Sequence, residues 1–426
     1  MNKCVLLLMF MASMASYARE QSDIRLNPEL GDISADAPAE HARYPFINLQ
    51  KNAIEMNGAD WSRLSAAFDH ADSSVVRILH IGDSHIQAEG STARTRMHMQ
   101  DKYGSAGRGL TAPFRLAGTN APLDYSYKSN SSFTGSRLLK TPWPTAMGFS
   151  GVAIEPTREA YDITITCGEA FDKLRIYSAG GTPVEVDSVE PDILAAEISP
   201  APGITELLLS RPVTELCMNL RGKSALTAVE LIRGTRGVEY SAIGNNGATF
   251  STYNDLPGFA AEVATLRPHI IILSLGTNEA FGRLDAEEMS SQIHRLVSDL
   301  RMSCPDAFLL LTTPQECYKR VTTRRSKRRK RGATRSYVVN DNVARAREII
   351  KNYGVTHEIP VYDWYTVAGG CGSAAKWLGE HLMNTDRIHL TWDGYHLNGD
   401  LFFSALDRAI SSSSSISNPK INESVR

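Results

Sequence analysis

Apolar residues gather in short runs that alternate with stretches of helical periodicity in two separated parts of the chain. The run at 75–81, Val-Val-Arg-Ile-Leu-His-Ile, reads as a parallel strand buried on both faces. A helix is predicted over 92–103. Strands are predicted again at 269–275 and 307–313. Between them, 285–302 places Met289, Ile293, Leu296, Val297 and Leu300 at helical spacing. A helix over 338–353 closed by Gly354, a short strand at 359–363 and a helix over 398–410 complete the pattern. Strands alternating with helices imply an α/β fold, a parallel sheet flanked by helices on both faces.

The texture changes over 124–238. Short alternating runs at 161–167, 173–177, 206–209 and 228–233 are separated by Gly, Pro, Ser and Asp, the pattern of a small antiparallel β-sandwich. Because the α/β pattern occupies 19–123 and resumes over 239–410, the sandwich is expected as an insertion. The serine-rich tail at 411–426 lacks apolar periodicity and is expected to be disordered.

Composition changes little in this picture. With 42% hydrophobic and 22% charged residues in 426, the chain is long enough for more than one core. A formal net charge of -2 gives no general reason for nucleic acid or an anionic membrane as partner. The first 18 residues carry Lys3, a short apolar stretch and small residues at Ser16 and Ala18, which reads as a secretory signal peptide. The stretch falls short of the roughly 20 residues a spanning helix needs. Export to the periplasm or cell envelope is therefore expected, with a mature chain starting near Arg19 and containing no integral membrane segment. The mature chain holds Cys167, Cys217, Cys304, Cys317 and Cys371. Five is odd, and the pairings Cys167 with Cys217 and Cys304 with Cys317 stay open. One dense basic run, Arg324, Arg325, Lys327, Arg328, Arg329, Lys330 and Arg331, is expected in a solvated loop near the carboxyl end of the sheet. In an exported protein its partner would be an anionic polymer of the wall or outer leaflet, not nucleic acid.

The chemistry lies in four short segments. Ser84 follows the first strand directly, in Gly82-Asp-Ser84-His-Ile-Gln87. About 300 residues later, Asp386-Arg-Ile-His389 offers a carboxylate and an imidazole three apart. A serine hydroxyl needs a base to take its proton, and that base needs a third group to hold its tautomer. Asp393-Gly-Tyr-His396 repeats the spacing, so the residues alone leave two candidate pairs. Gly244-Asn-Asn-Gly247 and Gly276-Thr-Asn278 also stand beyond predicted strands, where open α/β sheets bind ligands. The N–H groups of Ser84 and Gly247 and the side-chain amide of Asn278 are candidate donors to an acyl-transfer oxyanion. His85 is expected to be structural or a rim contact, Gln87 to line a pocket, and Trp377 to lie in the core. No Walker loop, His-Glu-x-x-His or metal-ligand cluster is present, so the expected chemistry needs no cofactor.

Gly82-Asp-Ser84, Gly247, Gly276-Thr-Asn278 and Asp386-Arg-Ile-His389, in this order, resemble the four sequence blocks of the SGNH, or GDSL, hydrolases. Gly-Asp-Ser-His-Ile-Gln, Gly-Asn-Asn-Gly-Ala-Thr, Gly369-Gly370 with Trp377, and His389-Leu-Thr with Gly394-Tyr395 are similar to the peptidoglycan O-acetylesterase branch. That branch carries a carbohydrate-binding-module-like β-sandwich between its first and second blocks. The resemblance implies a flavodoxin-like SGNH fold, Ser84 as nucleophile, His389 as base, Asp386 as its orienting carboxylate, and Ser84, Gly247 and Asn278 as oxyanion donors. Gly394-Tyr395 stand at the branch's distance from His389 only, which favours Asp386/His389 over Asp393/His396. The implied activity is removal of O-acetyl groups from cell-wall glycan, with peptidoglycan muramic acid 6-O-acetyl as substrate. The alternatives are an acetylesterase of another glycan, an O-acetyltransferase, and a non-catalytic glycan-binding protein.

Overall fold

The computed structural model describes residues 43–323 and 334–417. The leader expected at 1–18, the basic run at 324–331 and the end of the tail, 418–426, lie outside the described residues. Six strands form one sheet in the order Ile54–Glu55, Val361–Tyr362, Phe308–Thr312, Ile270–Ser274, Val75–Gly82, Gly237–Gly244. All neighbours are parallel except the edge strand Ile54–Glu55, which runs antiparallel to Val361–Tyr362. Register sets Gly244, Gly82, Ser274, Thr312 and Tyr362 at one level across the sheet. The loops beyond that level form a common rim.

Continuous apolar runs became central strands because both faces are covered. Ile271 and Leu273 pack with the helices Phe250–Asn254, Phe259–Ala264, Ala286–Ser303 and Asn342–Thr356. Ile270 and Ile272 pack on the other face with Ser62–Asp69, Gly90–Tyr103 and Trp392–Ser417. Successive side chains of a strand point to opposite layers, so each fully buried Ile or Leu contributes about 1.5–3 kcal/mol to one layer or the other.

Two helices differ from expectation. The helix Asn342–Thr356 starts later than 338, because Val338 and Val339 belong to a hairpin strand, and it contains Gly354 instead of ending there. A Cβ on Gly354 would meet Val361 Cγ2 at 2.4 Å, so this glycine serves close helix–strand packing. The last helix runs Trp392–Ser417, so 411–417 is helical where disorder was expected. The Ser412 and Ser413 hydroxyls bond back to the Ala409 carbonyl at 3.1 and 3.0 Å, which lets serines continue a helix already nucleated by its apolar side.

A second, antiparallel sheet takes its strands from Gly109 to Ile232 and has its own apolar core. Where a sandwich of two sheets over 124–238 was expected, the described residues form one connected nine-stranded network. Two long strands, Ala160–Ser178 and Ile204–Arg221, pair with each other along most of their lengths, with register shifts between Leu208 and Glu215. The runs 161–167 and 173–177 are halves of one strand, because Gly168 continues it across an irregularity in the pairing, its N–H donating to the Asp124 carbonyl at 2.8 Å. Gly109–Thr111 joins this sheet by pairing with Leu226–Ile232, whereas Gly237 and Val238 open the last parallel strand. A buried ion network ties the sheet to the α/β part. Arg108, 1% exposed, reaches Glu89 at 2.7 Å and Asp124 at 3.0 Å, and Arg96 bonds the same two carboxylates at 2.9 and 2.6 Å.

The five cysteines are free thiols. In strand register Cys217 lies opposite Thr164 and Cys167 opposite Tyr125. Cys304 and Cys317 stand at opposite ends of the strand Phe308–Thr312. Neither suggested pairing is geometrically available.

Candidate active site

The strand Val75–Gly82 passes into the short helix Ser84–Gln87 through Asp83, whose Oδ1 accepts the His85 N–H at 2.9 Å. Only glycine fits at 82, where a Cβ would stand 2.3 Å from Ile86 Cγ1 and 2.7 Å from the Ser274 carbonyl. The turn therefore holds Ser84 at the rim, at the start of the helix.

His389 arrives there from the other end of the chain. Its Nε2 is 2.8 Å from Ser84 Oγ, and its Nδ1 is 2.6 Å from Asp386 Oδ2. Asp386 Oδ1 accepts the N–H groups of Ile388 and His389 at 2.9 and 3.0 Å, so the carboxylate is fixed before it meets the ring. His396 instead stacks on Trp392, with ring centroids 5.4 Å apart. The geometry places Asp386/His389, not Asp393/His396, against the serine. Gly394 explains how the loop is held: a Cβ there would be 2.0 Å from the Leu382 carbonyl. Tyr395 beside it is buried, with its hydroxyl 3.1 Å from His85 Nδ1.

Electrostatics suit a proton acceptor. Burial works against the charged His389 imidazole, but the hydrogen bond and charge of Asp386, with the charge of Asp83, prevail and raise its pKa. Burial raises Asp386, but the His389 contact and two backbone N–H donors outweigh it, so its pKa is lowered. His85, with its ring centroid 5.2 Å from that of His389, is driven down to about 3 by burial and by the His389 charge. It is neutral across ordinary pH and is no competing base.

The donor groups gather as expected, with two details the sequence did not reveal. Gly247 adopts φ +84°, and a Cβ there would lie 3.2 Å from Leu139 Cδ2 of the antiparallel region. Among the described residues, no acceptor takes the N–H of Ser84 or Gly247. Asn278 directs its amide to the Ala248 carbonyl at 3.0 Å and to Asp83 Oδ2 at 3.3 Å. Burial raises the Asp83 pKa to about 6, against the opposing His85 N–H and His389 charge.

The second detail concerns Gln87. Its Oε1 accepts the Asn246 N–H at 2.7 Å, while Nε2 donates to the Asn120 carbonyl at 2.8 Å and to Thr119 Oγ1 at 3.1 Å. Asn246 Nδ2 also reaches Asn120 Oδ1 at 2.7 Å. Gln87 thus ties together the Ser84 helix, the Gly247 loop and the loop at Thr119 and Asn120. Sequence reading found Gln87 but not Thr119, Asn120, Asn246 or Asp83. The Gly-Asp-Ser and Gly-Asn-Asn-Gly segments contained the signals for Asp83 and Asn246, but no local pattern marks Thr119 or Asn120. Trp377 is fully buried, as expected, and donates Nε1–H to the Ala368 carbonyl at 2.8 Å. Among the described residues, no three His, Cys, Asp or Glu side chains cluster as a metal site, and no helix is long and apolar enough to cross a membrane.

Residues 218–397 match the model of the GDSL-like Lipase/Acylhydrolase family, a span that contains Gly247, Asn278, Asp386 and His389 and leaves out Ser84. No curated protein sequence matches the chain. A solved peptidoglycan O-acetylesterase shares the fold, with 18% identity, coverage of 86% of this chain and 98% of that one, and a TM-score of 0.67. A lipase/acylhydrolase from Enterococcus faecalis is 18% identical, over 41% of this chain and 78% of its own, with a TM-score of 0.30. For a GDSL-like lipase from Bacteroides thetaiotaomicron the figures are 18%, 41%, 76% and 0.29.

Proposed function

We propose that this protein, whose residues 218–397 match the GDSL-like Lipase/Acylhydrolase family model, is a carboxylic ester hydrolase and, more narrowly, an exported O-acetylesterase of cell-wall glycan. The observation that carries the reading is the continuous chain from Ser84 Oγ through His389 to Asp386, at 2.8 and 2.6 Å.

In this reading Ser84 Oγ attacks the acetyl carbonyl as His389 Nε2 takes its proton, and Asp386 steadies the imidazolium without being protonated. The oxyanion forms against the N–H groups of Ser84 and Gly247 and the Asn278 amide, which gives up its longer bond to Asp83. Collapse expels the sugar oxygen, which takes the proton from His389 and leaves an acetyl-enzyme. Water, deprotonated by the same His389, then releases acetate. The antiparallel sheet, joined to the site through Thr119, Asn120 and Leu139, presents the glycan strand.

Support for the substrate comes from the fold shared with a peptidoglycan O-acetylesterase, which makes muramic acid 6-O-acetyl the first substrate to try. Location and wall contact belong to the same proposal: the leader at 1–18 directs export to the periplasm or envelope, and the basic run at 324–331 meets anionic polymer there. Acetate release from O-acetylated peptidoglycan, compared with acetylated xylan, tests the substrate. Ser84→Ala abolishes release with the fold intact; activity retained in that variant would sink the assignment.

A further inference from the structure

We propose that Arg387 forms an anion subsite beside the ester pocket, reading a carboxylate on the acetylated sugar or its neighbour. The inference rests on the esterase reading of the site and adds to it a substrate class, the acidic glycans.

Arg387 lies between Asp386 and His389 and adopts φ +63°, a conformation disfavoured for a residue with a side chain. Its carbonyl accepts the Tyr318 N–H at 3.0 Å, which joins the catalytic loop to the hairpin of Tyr318–Thr323 and Thr334–Val339. The guanidinium stacks over two rings of that hairpin, 4.3 Å from the Tyr337 centroid and 5.4 Å from that of Tyr318. Tyr337 is 39% exposed, so the stack faces solvent at the rim.

What points to a ligand is a guanidinium without a counter-ion among the described residues. Among the described residues, no carboxylate or carbonyl oxygen takes a hydrogen bond or ion pair from the Arg387 guanidinium. Asp386 next to it is committed to His389 and to two backbone N–H groups. The two hairpin strands carry Lys319, Arg320 and Arg335 and no acidic residue. Register pairs Arg320 with Tyr337, so a second cation shares the face on which Arg387 is stacked. A planar guanidinium held by aromatic faces keeps its N–H edges aimed outward in the fork that matches a carboxylate. A hairpin anchor alone would need neither the unspent donors nor a second cation beside them.

The test uses competitive inhibition of 4-nitrophenyl acetate hydrolysis by N-acetylmuramic acid, which has a carboxylate, and by neutral N-acetylglucosamine. The wild-type protein should prefer the acid by about tenfold, the scale of one charged hydrogen-bonded contact, and the preference should fade as salt rises. Arg387→Gln should collapse the ratio towards one, Arg387→Lys should keep part of it, and Arg320→Gln, away from the catalytic loop, should lower it in part. A purely structural role would shift both inhibition constants together and leave the ratio intact. A wild-type protein without preference, or a ratio unchanged in Arg387→Gln, would overturn the proposal. Failure of the O-acetylesterase reading would show elsewhere, as absent acetate release from every acetylated glycan while the sugar preference remained measurable.

Discussion

Gln87 Oε1 accepts the Asn246 N–H at 2.7 Å, so the helix that carries the nucleophile and the loop that ends in Gly247 share one side chain as their spacer. The oxyanion donors lie on both sides of that spacer. Losing it should misplace Gly247 relative to Ser84 without exposing any core. Gln87→Leu is expected to lower kcat about tenfold to a hundredfold on a small acetyl ester, with KM little changed. Gln87→Glu keeps the acceptor for Asn246 but loses the donors to Thr119 and Asn120, and should fall between. Steady-state kinetics with 4-nitrophenyl acetate checks this, and an unchanged kcat in Gln87→Leu would refute it.

The choice between the two Asp-x-x-His pairs makes a separate prediction. Asp386→Asn should cost about four orders of magnitude in kcat, because an amide imposes the wrong tautomer on His389. His396→Ala, which removes a ring contact with Trp392 and no contact with Ser84, should stay within about twofold of wild type. The reverse ranking would mean that the wrong pair has been identified.

The pH dependence follows from the shifts around the imidazole. His389 must be neutral to take the Ser84 proton, and its pKa is raised. The acid limb of kcat/KM should therefore lie above the ordinary imidazole value of about 6.5. Removing Asp386 leaves burial as the largest influence, which favours the neutral ring, so the residual activity of Asp386→Asn should show this limb at lower pH. The same pair affects folding. A raised His389 pKa gives stability that is present below the unfolded imidazole value and lost as pH rises through the folded one. A lowered Asp386 pKa gives stability that is present above the unfolded carboxylate value and lost as pH falls through the folded one. These are two views of one ion pair, fully formed between about pH 4 and 6.5, below the range where the enzyme works best. A pH–rate profile and thermal melts across that range provide the check.

Gly394 tests the packing that carries His389. Gly394→Ala would put a Cβ 2.0 Å from the Leu382 carbonyl, and backbone cannot swing aside as a side chain can. The expected cost is about 3 kcal/mol, seen as a lower denaturant midpoint. A variant of wild-type stability would mean that the start of the last helix is freer than its contacts suggest.

The ion network under the Ser84 helix is a different kind of support. Arg108→Met leaves the buried Glu89 carboxylate with Arg96 alone and should destabilise the fold by about 3–5 kcal/mol. Chemical denaturation measures this directly, and a loss under about 1 kcal/mol would show the network to be dispensable.

Much of this was legible in the sequence, for identifiable reasons. Strands such as Ile270–Ser274 announce themselves because burial on both faces forces unbroken apolar runs. Ser84, Gly247 and Asn278 stood out because each follows a predicted strand at or near a glycine, whereas the Asp-x-x-His spacing left two pairs open and only the family resemblance favoured Asp386/His389. Glycine was also what misled. Gly168 and Gly354 read as breaks, yet each lies inside an element, Gly354 because the strand Val361–Tyr362 passes too close for a Cβ. The Thr119, Asn120 and Asn246 contacts were not legible, since hydrogen bonds between polar side chains about 125 residues apart leave no local pattern.

The level row from Gly244 through Gly82 and Ser274 to Thr312 has an evolutionary consequence. Ser84, Gly247 and Asn278 are each indexed to the sheet by the two to four residues that follow that row, not by the length of chain between one strand and the next. Between Tyr103 and Gly237 the chain makes an excursion larger than many whole domains and returns in register. Excursions of this kind can be enlarged, shortened or exchanged among lineages while the nucleophile and its base stay where they are. New substrates are then within reach of recombination in the excursion, with the hydrolytic centre inherited unchanged.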